Sequence, residues 1–214
     1  MTQKEKKARM AQIVAALKEV YPVPVCALES GGDPWRLLVM GRLSAQCTDA
    51  RVNVVCEDLF ARFPTCSAMA DAPVEEIEEL IKSCGLFRGK AKNIKDASVM
   101  IRDEFGGELP REMDDLLRLP GVGRKIANLL RGDVYGLPAV VADTHCIRIC
   151  GRLGLSEGKD PEKVERQLRA ILPPDKSSDF CHRIVLFGRD ICTARSPKCD
   201  QCPLALFCRE VNQG

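Results

Sequence analysis

At 214 residues the chain is long enough for one or two domains with real cores. A net charge of only +2 excludes a protein that holds polyanions by bulk charge, so any nucleic-acid footprint must come from how the charges are distributed. No run is long and apolar enough for a membrane span, and the basic start (Lys4, Lys6, Lys7, Arg9) lacks the apolar core of a signal peptide. The expected setting is therefore cytoplasmic, with 12 largely reduced cysteines. Those that cluster in sequence are better metal ligands than disulfides. Aromatics make up 5%, so the core must be aliphatic, and strand signals are scarce.

In chain order, Lys4 to Val20 reads as a helix with Met10, Ile13, Val14 and Leu17 on one face. Two prolines make Tyr21 to Val25 extended. Asp33-Pro34 is a helix start, with an acid at the cap and proline at the first position. The helix it opens carries Trp35, Leu37, Leu38, Val39 and Leu43 and should be central. A polar break, Ser44 to Asp49, follows, and either Thr48 or Asp49 can cap the next helix, to Phe60. Thr65 and Pro73 start two more, the second stopping at Gly85. Lys90 to Phe105 is helical up to Gly106-Gly107, and Arg111 to Arg118 is helical again.

Leu119 to Ala127 (L-P-G-V-G-R-K-I-A) joins that helix to the next through a very tight turn. Glycine serves where positive φ or a close approach to the backbone is needed, so Gly121 and Gly123 can let Val122 drop between the helices and turn their N–H groups outward. Outward N–H groups beside a helix start, with Arg124 and Lys125 adding charge, make a phosphate site. An ordinary αα-hairpin with a solvated basic end carries the same G-x-G. After an extended run, Leu137 to Ala142, Asp143 caps a helix through Ile147, Ile149 and Leu153. Asp160-Pro161 opens another, and a last helix spans about Ser178 to Cys192. The tail spaces Cys192, Cys199, Cys202 and Cys208 as C-x6-C-x2-C-x5-C, which suits either an all-cysteine zinc site or a cubane iron–sulfur cluster. The other eight cysteines are dispersed and read as small apolar residues.

L-S-A-Q-C-T-D (Leu43 to Asp49), G-L-F-R-G-K-A (Gly85 to Ala91), L-P-G-V-G-R-K (Leu119 to Lys125), A-D-T-H (Ala142 to His145) and the four-cysteine loop, in that order, resemble endonuclease III, a helix–hairpin–helix DNA glycosylase family. The resemblance covers nearly the whole chain. It implies an all-α fold of two helical lobes: a six-helix bundle with the hairpin, about 27–137, and a cluster-bearing lobe of 1–26 with 138–214. It also implies a DNA-binding cleft between the lobes and tips the metal choice to [4Fe–4S]. Departures are small: Ile126 stands where threonine is frequent, and Ala142 where valine is.

The implied activity is base excision. A damaged base must leave the stack before its glycosidic bond is reached. Gln46 can plug the vacated space and Leu86 can wedge the opposite strand, as the family uses its matching residues. Core packing behind a glycine is the alternative for Leu86. Lys125 is the candidate amine nucleophile at C1′, forming a Schiff base from which β-elimination cuts the strand; a phosphate-bonding surface lysine is the alternative. Asp143 can stabilise oxocarbenium charge and assist proton transfer. His145 reads as a sugar or phosphate contact or a first-turn hydrogen bonder, His182 as structural, and Arg195 and Lys198 as loop cations for phosphate. The expected substrates are duplexes with damaged pyrimidines or abasic sites, handled by a monomer away from membranes. A mismatch glycosylase on the same scaffold lacks the nucleophilic lysine, and a DNA-binding or redox protein without catalysis needs neither Lys125 nor Asp143.

Overall fold

The computed structural model describes residues 1–211, and among these every regular element is helical. Contacts divide the chain into two compact units, Ala27–Tyr135 and Met1–Cys26 with Gly136–Gly214. No helix among the described residues is long and apolar enough to cross a membrane.

The second of these units begins with α1 (Gln3–Val20), whose start is fixed by a capping box between Thr2 and Glu5. Met10, Ile13 and Leu17, spaced three and four apart, bury one stripe. They join Cys146, Ile149 and Cys150 of α9 (Thr144–Arg152), Val164 and Leu168 of α10 (Pro161–Arg169), and Phe180, Ile184 and Phe187 of α11 (Ser177–Asp190) in one core. Leu204 from the tail completes it. Residues 139–142 form no regular element, the Asp143 N–H turning back to the Val141 carbonyl at 3.0 Å, and the Ala139 N–H donates to Ser177 Oγ at 2.9 Å, which moors the run to α11.

The 27–135 unit is built on α2 (Pro34–Leu43), which buries Trp35, Leu37, Leu38, Val39, Met40 and Leu43 and packs against α3 (Asp49–Arg62), α6 (Phe87–Glu104) and α8 (Arg124–Asp133). Gly41 faces α8 at that contact: a Cβ there would rest 3.5 Å from Ile126 Cγ2, ordinary van der Waals distance. The Trp35 indole donates to Ser98 Oγ at 3.0 Å and its ring tilts against Phe60 at 5.5 Å. With α4 (Cys66–Asp71), α5 (Val74–Ile81) and α7 (Met113–Arg118) the unit has seven helices, of which α4 and α7 are six residues long, near the limit of what counts as a helix. Thr48, not Asp49, caps α3, its side chain accepting from Arg51 N–H.

The largest departure from the sequence reading is at α6. It starts at Phe87, three residues before Lys90, and carries Lys90 into the core with no exposed surface. The ammonium donates to the Leu43 carbonyl at 2.8 Å. That carbonyl belongs to the last residue of α2, beyond the reach of the helix's own ladder. A lysine from another helix thus serves as its C-terminal cap.

Lys90→Met should therefore cost about 1–3 kcal/mol, since a buried carbonyl loses its donor. Burial holds the ammonium below its ordinary 10.5. Between that lowered value and 10.5 the unfolded chain binds more protons than the folded one, so wild-type stability should rise with pH relative to Lys90→Met. Urea melts of both proteins across that window check this; a difference independent of pH contradicts it.

Candidate nucleic-acid interface and cluster loop

The hairpin turn uses its two glycines differently. Gly121 has φ +78, and an added Cβ would meet Arg42 Nε at 2.6 Å and Asn93 Cβ at 2.8 Å. The side a Cβ would take is filled by Arg42 and Asn93, which hydrogen-bond to each other at 2.8 and 3.2 Å. Gly123 caps α8 at φ −98, ψ 177, ordinary extended backbone, with nothing within 4 Å of a Cβ and no side-chain bond to the helix start. Positive φ is thus required only at the first glycine, which is exposed although its Cβ direction is filled from within the protein, and the second is open on its Cβ side as well. Val122 is buried, and its N–H donates to the Leu119 carbonyl at 3.0 Å. Lys125 is exposed in the first turn of α8, one residue from Ile126, which packs on α2. Arg124 is half-buried beside it.

Gln46 and Leu86 are the two non-glycine residues with positive φ among the described residues, at +55 and +58. Such conformations are costly for side chains with a Cβ and concentrate where function demands them. Leu86 is 68% exposed, so it does not pack in the core, and it is the N-cap of α6. Gln46 is exposed. The two loops touch: a Cβ on Gly85 would lie 3.6 Å from the Gln46 carbonyl oxygen. Cys47 and Cys84, one residue further along each loop, hold their sulfurs 3.8 Å apart. Burial, then the hydrogen bond with Cys47, pushes the Cys84 thiol up to about 11.

In the other unit, Asp143 caps α9 as expected, Oδ1 accepting from Cys146 N–H at 2.7 Å. His145 sits in the first turn of α9, its Nδ1 3.2 Å from Arg148 Nη2. Arginine can only donate, so Nδ1 accepts. A Cβ at Gly188 would come within 2.4 Å of that nitrogen, so α11 lies tightly against it. His182 is half-buried on α11. Arg195 is exposed on the tail loop. Lys198, expected to await phosphate, pairs with Asp190 at 3.5 Å, and the same carboxylate accepts from the Tyr21 hydroxyl at 3.1 Å. Its charge is thereby partly neutralised within the protein, though both groups are more than half exposed.

Cys192, Cys199, Cys202 and Cys208 line one small cavity with Ile191, Pro197 and Val211, and none of the four is in a disulfide. Four cysteines around one cavity supply the all-thiolate ligand set that a [4Fe–4S] cluster takes. Two arginines missed by the sequence reading hold its first ligand. Arg152 Nη1 donates to Cys192 Sγ at 3.2 Å and to the Thr193 carbonyl at 3.0 Å, and Arg148 Nη2 donates to the Cys192 carbonyl at 2.8 Å. Arg9, from α1, donates to the carbonyls of Leu153 and Phe207.

Residues 39–174 match the HhH-GPD superfamily of base excision DNA repair proteins, and residues 192–208 match the iron–sulfur binding domain of endonuclease III. The endonuclease III of Synechocystis sp. is 46% identical over 95% of this chain and 93% of its own length. The chain belongs to the endonuclease III family. The Bacillus subtilis endonuclease III is 44% identical over 90% of this chain and 88% of its own. A solved structure of a trapped endonuclease III–DNA covalent intermediate superposes with a TM-score of 0.91 at 39% identity, covering 100% of this chain and 98% of that one. As a member of the endonuclease III family the chain is a DNA glycosylase with associated AP lyase activity. Its tail cysteines hold a [4Fe–4S] cluster.

Cluster type and hairpin geometry are both open to test. The purified protein should be brown, with about four irons per chain by metal analysis, and Cys202→Ala should lose the iron and loosen the cluster-bearing unit; one zinc in a colourless protein contradicts this. Gly121→Ala should cost about 1–3 kcal/mol from strain at positive φ, whereas Gly123→Ala should melt like wild type. Equal melting of both variants would show that Arg42 and Asn93 yield to a Cβ.

Proposed function

We propose that the chain excises oxidised pyrimidines from duplex DNA and cuts the strand 3′ to the abasic site that results, working as a monomer. The observation that carries this reading is the exposed Lys125 at an uncapped helix start, on the same unit as two strained, exposed plug residues, Gln46 and Leu86. A side chain that only packs has no reason to sit at positive φ in solvent.

In this reading the N–H groups at the uncapped start of α8, with Arg124, hold a phosphate of the damaged strand. Gln46 fills the space of the extruded base, its amide bonding the widowed partner, while Leu86 enters the opposite strand. The Lys125 amine attacks C1′ as the glycosidic bond breaks, forming a Schiff base. β-Elimination from that intermediate breaks the C3′–O bond. The covalent intermediate in the superposed structure is that endonuclease III's own, and the likeness supports the same chemistry here. Asp143 stabilises the positive charge that develops on the sugar and passes protons to and from the amine. His145, Arg195 and Lys198 serve the backbone; for Lys198 this means exchanging Asp190 for phosphate. The cluster supplies fixed placement of the tail loop when bound, with Arg152 and Arg148 holding Cys192.

Borohydride added to enzyme and an abasic or oxidised-pyrimidine duplex should trap a covalent complex, and Lys125→Gln should abolish trapping and strand cleavage while abasic DNA still binds. Asp143→Asn keeps the cap's acceptor, so its melting should change little while the single-turnover rate falls on the order of 10²-fold. Base release without any trapped complex would instead make this a water-using glycosylase with Lys125 a phosphate ligand.

A further inference from the structure

The sequence places Cys47 and Cys84 37 positions apart, yet their sulfurs lie 3.8 Å from each other. Cys84 is fully buried and Cys47 half-buried, so of the two residues only Cys47 has surface open to solvent. Each adjoins a loop residue singled out above: Gln46 precedes Cys47, and Leu86 follows Cys84 by two. The same two loops touch at Gly85 and the Gln46 carbonyl. Neither sulfur belongs to the cluster loop, and neither is used by the excision chemistry.

We propose that Cys47 and Cys84 form an oxidisable pair whose disulfide latches the Gln46 and Leu86 loops together and weakens recognition of damaged sites. The co-reactant is a peroxide. Cys47 sulfur attacks the O–O bond, giving a sulfenic acid and one water. Cys84 sulfur then attacks that sulfur, and the departing hydroxide takes the Cys84 proton as a second water. Two thiols are oxidised by two electrons and one peroxide is reduced to two waters. Bond formation draws the sulfurs from 3.8 Å to about 2.05 Å. Both cysteines lie between helices, Cys47 between α2 and α3 and Cys84 between α5 and α6, so turns rather than helices absorb the movement. The second effect, on recognition, rests on the plug roles proposed for Gln46 and Leu86. Pulling their loops together fixes the spacing at which two side chains must enter two strands.

The test treats the cluster-loaded full chain with hydrogen peroxide and maps its peptides without reduction. A Cys47–Cys84 linked peptide, lighter by two hydrogens than its parts and reversed by a thiol, is expected; it should be absent in Cys47→Ser and Cys84→Ser. Oxidised wild type should bind an abasic duplex about tenfold more weakly, the size of one lost contact, with undamaged duplex unchanged. Cys84→Ser, exposed to the same peroxide and hence the same cluster damage, should keep its abasic affinity. Sulfinic acid at Cys47 with no linked peptide overturns the pair. A linked peptide with unchanged abasic binding overturns the latch, provided Leu86→Ala in the reduced protein weakens that binding. If Leu86→Ala leaves it intact, the plug assignment falls instead, and the linked peptide alone decides the thiol pair.

Discussion

The structure depends on how short helices satisfy their ends. The described residues form eleven α-helices, several of six to ten residues, and each start and stop leaves backbone groups without an intrahelical partner. Many starts are closed locally. Thr2, Asp33, Thr48, Thr65, Asp143 and Asp160 each accept from an N–H in the first turn. Lys90 does the converse for a carbonyl at the end of α2, reaching from a distant helix. Of the starts without a side-chain cap, those of α5, α7 and α11 carry acidic residues in the first turn, which the helix dipole favours. The starts of α6 and α8, at Leu86 and Gly123, have neither device. These two lie on the residues that the family resemblance assigns to DNA, and a helix start left without negative charge is suited to meet a polyanion.

Strain follows the same distribution. Positive φ at Gln46 and Leu86 is not relieved by glycine, although glycine serves at eight other positive-φ positions among the described residues. The side chains must therefore be worth their conformational cost. What sustains that cost is the packing behind them: α2 ends shortly before Gln46, and Lys90, four residues after Leu86, anchors α6 to that end. A buried lysine thus ties the first turn of the helix after Leu86 to the end of the helix before Gln46.

The cluster loop is held together differently. Residues 192–208 contain two brief 3₁₀ turns and cannot bury a core of their own, so the loop is held by inorganic bonds and by arginines reaching from helices. Arg148 and Arg152, one turn apart on α9, both address Cys192 or its neighbour, and Asp143 caps the same helix. Helix α9 therefore carries a proposed catalytic carboxylate at one end and support for the cluster at the other.

What the sequence alone determined was local in the chain. Helix caps, the tight turn at Gly121 and the spacing of four tail cysteines are each written within a short stretch, and short-range geometry leaves few ways to satisfy them. Family membership was legible for the same reason, through several such stretches in order. Tertiary structure decided what depends on separated residues meeting. Lys90 and Leu43 are 47 apart, Cys47 and Cys84 37, Arg152 and Cys192 40. What would meet a side chain at Gly121 turned on Arg42 and Asn93, and whether Leu86 packs or projects turned on a left-handed cap that no local propensity favours in leucine. Side-chain burial and backbone strain are set by the elements packed around a residue, and that information is spread over the whole chain.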